Sequence, residues 1–241
     1  HYIINAQIEL GEYKAARENI KLTPSLSELP RSGGIQIGMQ VFNASYLSEL
    51  RLMDRMGEHT KALDLVDAVL VGLEDEGPRL HKEQELEFWF ALSCVHFGAG
   101  EMNKALFWLN KVLNDPEPTL RQDIFTYARL FNLVVHYELG NFDLLEYIVR
   151  STHRFLSKRH RAHEMETVLI DHVKRLARAT QPTAKRDLYK SLHDRMSELM
   201  KDPNESLALK YFDFMAWSRS KVEGSTFSEA VRQEHPAMGK G

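Results

Sequence analysis

Ala99-Gly100-Glu101-Met102-Asn103-Lys104-Ala105 is the stretch that decides the fold. Glycine adopts the left-handed conformation that closes a helix, which side chains with a Cβ resist. The polar Glu101 then starts a second helix, and the small Ala105 lets that helix pack closely on the first. Three other stretches repeat the pattern: Leu10-Gly11-Glu12-Tyr13-Lys14-Ala15-Ala16, Met56-Gly57-Glu58-His59-Thr60-Lys61-Ala62 and Leu139-Gly140-Asn141-Phe142-Asp143-Leu144-Leu145. In three of the four, alanine stands five positions after the glycine; in the fourth, leucine does. A turn at Thr180-Gln181-Pro182 continues the rhythm with proline chemistry. Self-similarity at a period of roughly 40 residues predicts stacked helical hairpins.

The flanking sequence agrees. Leu86, Trp89, Phe90, Val95 and Phe97 recur at three and four positions, as do Met165, Val168, Leu169, His172, Val173 and Leu176. These are helix periods, and no stretch alternates as a strand would. The 8 prolines mark breaks between runs of good helix formers. The expected fold is all-α: a right-handed superhelical stack of antiparallel hairpins over 1–22, 40–74, 79–114, 118–157 and 161–200. Asp115-Pro116 and Asp202-Pro203 read as helix starts. A helix over 204–223 is expected to cap the last hairpin through Leu207, Leu209, Tyr211, Phe212, Phe214, Met215 and Trp217. Residues 23–39 read as a loop and 224–241 as a loose tail. The 241 residues are 43% hydrophobic and 27% charged, which suits a folded chain and argues against disorder. No apolar run is long enough to span a membrane, no signal peptide is visible, and a cytoplasmic location is expected.

The turn pattern resembles the tetratricopeptide repeat (TPR) superfamily, in which a bulky residue early in the first helix precedes the glycine and the alanine. Trp89, Leu92, Gly100 and Ala105 match those places, as do Tyr46, Gly57 and Ala62. The spacings here exceed the family's 34 residues, a feature shared with long-helix repeat proteins often found in bacteria. Residues 5–16 match the second half of a repeat, so the chain reads as part of a longer array. The resemblance implies a non-catalytic scaffold that binds a peptide or partner helix on a concave face. Its ligand-facing positions map to Leu47, Arg51, Asp54 and Arg55, then Phe90, Cys94 and Phe97, then Tyr127, Leu130, Val134, Tyr137 and Glu138. That face would offer apolar anchors with two arginines at one end. The lysine–asparagine clamp of chaperone-tail binders is not matched.

Charge is unevenly spread. Residues 150–190 hold eleven Lys or Arg against four Asp or Glu, including Arg154, Lys158, Arg159, Arg161, Lys174, Arg175 and Arg178. The alternative expectation is a regulatory module that meets nucleic acid or an acidic protein through this segment. Self-association through exposed faces is a further one. Only Phe155 and Tyr189 interleave with the cations, whereas single-strand grooves alternate aromatics with basic residues. His163-Glu164-Met165-Glu166-Thr167 lacks the second histidine of a zinc-peptidase motif. His96 and His136 hold equivalent places in consecutive repeats, but three or four ligands cannot be assembled around them. The lone Cys94 excludes a disulfide framework. Neither a nucleophile elbow nor a phosphate-binding glycine loop occurs. No cofactor, metal or catalytic residue is therefore expected.

Overall fold

In the computed structural model, residues 2–23, 41–76, 80–158 and 163–234 are described, and they form twelve α-helices and no strand. The first ten are α1 (Tyr2–Glu9), α2 (Tyr13–Lys21), α3 (Ser48–Arg55), α4 (His59–Glu76), α5 (Lys82–Gly98), α6 (Met102–Leu113), α7 (Gln122–Glu138), α8 (Phe142–Leu156), α9 (Glu164–Arg178) and α10 (Pro182–Leu199). A π-helical turn, Asn43–Leu47, leads directly into α3. A 3-10 turn (Ser206–Lys210), α11 (Phe214–Glu223) and α12 (Phe227–Glu234) follow. The loop read at 23–39 lies almost wholly outside the described residues.

The four glycine turns share one geometry. Gly11, Gly57, Gly100 and Gly140 all have positive φ, between 64° and 83°. At each, the glycine N–H donates to the carbonyl three residues back, and the next N–H donates to the carbonyl five back, as in Glu101 N to His96 O at 2.8 Å. This pair of hydrogen bonds satisfies carbonyls that a helix end leaves orphaned. The residues five after the glycines, Ala16, Ala62, Ala105 and Leu145, are all buried, the alanines completely. The turn chemistry and the close packing therefore coincide, as the repeat predicts.

Packing follows a simple rule. Each helix packs on the next, and α1, α3, α5 and α7 also pack each on the following odd-numbered helix. The odd helices accordingly lose their polar faces: α5 is buried at ten positions and α7 at twelve. Even helices keep a solvent side, as in α8, where only Leu145, Val149, Thr152 and Leu156 are buried. A helix that is apolar all round belongs inside.

The C-terminal part departs from the sequence expectation. The stretch 204–223 is not one capping helix. It opens as a 3-10 turn and breaks at Asp213, whose carboxylate accepts from Ala216 N at 2.8 Å and so starts α11 afresh. The expected loose tail holds α12, formed after a fifth left-handed glycine, Gly224, at φ 70°. The whole stretch, 205–234, forms a strap along the odd helices. It begins where Glu205 accepts from Glu164 N and Met165 N, each at 3.0 Å, at the start of α9. Tyr211 stacks on Tyr127 at 4.2 Å, and Phe212 stacks on Phe131 at 4.2 Å and meets Phe97 edge-on. Trp217 does cover the last hairpin, edge-on to Tyr189, while its Nε1 donates to Glu138. The strap then reaches α4, where Ser228 meets His59. Of the residues expected to cap, Leu207 instead remains 42% exposed. The helix start read at Asp115-Pro116 is also displaced: Asp115 closes a turn by accepting from Glu117 N, and α7 begins at Gln122.

Candidate pocket on the inner face

The strap covers most of the face that the sequence assigned to a partner. Leu47, Leu130 and Val134 are fully buried, and Phe90, Phe97, Tyr127 and Tyr137 nearly so. Apart from Phe90, whose ring edges the pocket described next, they are packed against the chain itself and offer no open surface. Phe97 packs against Phe212 and Phe227, and Tyr137 against Trp217. Glu138 is committed to the strap as well, accepting from Trp217 Nε1 and Lys221 Nζ, each at 2.7 Å.

What stays open is a pocket of about 250 Å³ between α1, α3, α5, α7 and the 3-10 turn. It brings together Arg51, Asp54, Arg55, Phe90 and Cys94 from the expected set. It adds Glu9, Glu87, Arg121 and Lys210, which the sequence does not single out, and Tyr211, which it reads as a capping residue. The polar side is a relay across three helices. Glu87 accepts from Arg51 at 2.8 Å and from Arg121. Arg121 forks onto Asp123, which in turn accepts from the Tyr211 hydroxyl at 2.6 Å. Lys210 pairs with Glu9 at 2.5 Å. Partly exposed pairs of this kind contribute little each, about 1 kcal/mol or less; their main effect is to fix the arginines in place.

Burial shapes the charges around this pocket. It works against the Arg121 cation, but the Asp123 hydrogen bond and the Glu87 charge outweigh it and hold the guanidinium protonated more firmly than usual. Burial likewise opposes ionisation of Asp123, and the bonds from Arg121 and Tyr211 overcome it, leaving its pKa low. Burial followed by the bond to Asp123 raises the Tyr211 phenol. Cys94 forms part of the wall; burial first, then the Asp54 charge, pushes its thiol well up, so it is a poor nucleophile here. Its Sγ lies 3.6 Å from the Tyr211 carbonyl.

A second polar cluster ties down α12. His59, fully buried, has Nε2 2.9 Å from Asp54 Oδ1 and Nδ1 2.7 Å from Ser228 Oγ. Ser228 Oγ also lies 2.8 Å from the Gly98 carbonyl, to which its hydroxyl donates. The residue types are those of a nucleophile relay, yet the serine proton is committed to a backbone carbonyl and the imidazole has no exposed surface. The cluster acts as a latch. No signal of it was legible in sequence, since its members stand at positions 54, 59, 98 and 228.

The other candidate histidines stay apart. His96 bonds Glu101 at 2.6 Å and His136 bonds Asn141 at 3.1 Å, each closing its own glycine turn. Burial lowers both pKa values. Among the described residues no group of three His, Cys, Asp or Glu side chains is placed to hold a metal. No helix among them is long and apolar enough to cross a membrane. In the basic segment, Arg154, Lys158, Lys174, Arg175 and Arg178 are exposed, whereas Arg159 and Arg161 lie outside the described residues. Arg154 sits in the last turn of α8 and Lys174–Arg178 in the last turns of α9. At 1.5 Å per residue the latter lie about 15 to 20 Å along α9 from its start.

No family model, no curated protein and no solved structure matches the chain.

Proposed function

We propose that this chain is a TPR-like stack of helical hairpins that works as a non-catalytic protein-interaction module, engaging a peptide segment of a partner at the inner-face pocket. The observation that carries the reading is the strap. The odd-helix face already holds an extended and helical segment by aromatic anchors, Tyr211, Phe212 and Trp217. It is therefore a surface suited by shape and chemistry to peptides, with one polar pocket left open beside the segment. The stack itself is supported by the four equivalent glycine turns and by the run of odd-to-odd helix contacts. Contact with nucleic acid through 150–190 is less well supported, because its exposed cations are spread along α8, α9 and α10.

Selection from a phage-displayed random peptide library should enrich binders to the intact chain. Their affinity is expected to fall about tenfold or more in Arg55→Glu and to stay within about twofold in the triple variant Lys174→Glu, Arg175→Glu, Arg178→Glu. The reverse order, or retention of polyanions with a steep salt dependence in place of peptides, would favour the basic segment.

A further inference from the structure

We propose that the inner-face pocket is a binding site for a single carboxylate carried on a short apolar stem; this deepens the interaction-module reading and rests on it. Four cations line the pocket, Arg51, Arg55, Arg121 and Lys210, against three carboxylates, Glu9, Asp54 and Glu87. Glu87 serves both Arg51 and Arg121, and Arg121 is further held by Asp123. Lys210 takes Glu9. Asp54 is turned to the buried His59. Arg55 is left half-buried on the wall with no ion pair among the described residues.

A half-desolvated guanidinium without a counter-ion is the group a carboxylate satisfies best, because its planar fork meets both oxygens at once. Arg55 is the one cation of this wall without an ion pair among the described residues, which suits one carboxylate; a phosphate dianion would bring a second negative charge beside Asp54 and Glu87. The rest of the wall is apolar: Ile8, Leu50, Ala91 and Ile124, with the Phe90 and Tyr211 rings. At about 250 Å³ the space is below the range of drug-sized sites. It accepts a stem of side-chain size. Two sources carry this chemistry: the C-terminal residue of a peptide, and a small free carboxylic acid.

N-acetyl-leucine and N-acetyl-leucinamide, alike in shape and different in charge, are the probes, titrated into the intact protein and followed by NMR. The acid is expected to bind about ten- to a hundredfold more tightly than the amide, the scale of one charge-assisted pair. Arg55→Gln should abolish that preference, Arg55→Lys should keep part of it, and Lys174→Gln should leave it intact. Equal binding of acid and amide, or a preference that survives Arg55→Gln, overturns the proposal. The comparison on the unsubstituted chain decides even if a variant fails to fold. A pentapeptide, Ala-Ala-Ala-Ala-Leu with a free carboxyl end, is compared with octanoate, and the tighter of the two identifies the source. If library peptides bind while the acid shows no advantage, this pocket assignment fails and the module reading survives. If the acid binds at Arg55 while no peptide does, the carboxylate site stands and the module reading fails.

Discussion

Phe212→Ala is expected to destabilise the protein by about 3–5 kcal/mol, the range for deleting a fully buried aromatic ring. Phe212 is 2% exposed although it lies in a segment outside the repeated hairpins. Its ring stacks on Phe131 and on Phe227 and meets Phe97 edge-on, so it joins α7, α5 and α12 at one point. Alanine would leave a cavity bounded by four aromatic rings, those of Phe97, Phe131, Phe214 and Phe227, that cannot collapse without moving helices. Leu207→Ala, at the exposed start of the strap, should stay within about 0.5 kcal/mol. Denaturant titration of both variants measures the difference. A cost below about 1 kcal/mol for Phe212→Ala would mean that the strap does not dock in solution.

Gly57→Ala is expected to cost clearly more than the same change at Gly140, though both glycines hold the same turn. At Gly140 the added Cβ meets nothing within 4 Å, so only the left-handed backbone is penalised, by about 1–2 kcal/mol. At Gly57 that penalty is joined by a collision: the Cβ would lie 2.4 Å from the Ser228 carbonyl and 2.9 Å from Arg232 Cγ. The backbone of α12 must retreat, which pulls Ser228 away from His59 and Gly98. A buried imidazole and a buried carbonyl then lose a partner, adding about 1–3 kcal/mol. Thermal unfolding of the pair should show Gly57→Ala as the larger drop by several degrees. Equal drops would show that α12 does not sit against this turn.

The hairpins were legible because their determinants are local. A glycine, a polar residue and an alanine within six positions specify a turn, the orphan carbonyls it satisfies and the close packing after it. Gly224 carries the same signal, but the residue five positions on is Glu229, and Ala230 follows one place later. The shift hid the fifth turn and made α12 read as a tail. The strap was illegible for a different reason. Tyr211, Phe212 and Trp217 announce burial, but nothing near them in sequence says which surface receives them. A cap on the last hairpin and a run along the whole inner face bury the same rings. Of the positions read as ligand-facing, Phe90, Phe97, Tyr127 and Tyr137 meet the strap. Which of them stayed open depended on where the strap ran. Arg51, Asp54 and Arg55 line open space because the strap passes them with only Lys210 and Tyr211.

The account depends most on the strap's position, since the strap both closes the inner face and shapes the remaining pocket. Amide hydrogen exchange resolved along the chain tests this directly. The account predicts that 214–223 and 227–234 exchange slowly, opening only with the same cooperative unit as α5 and α7. Exchange of those two segments within seconds, while α5 and α7 stay protected, would contradict it.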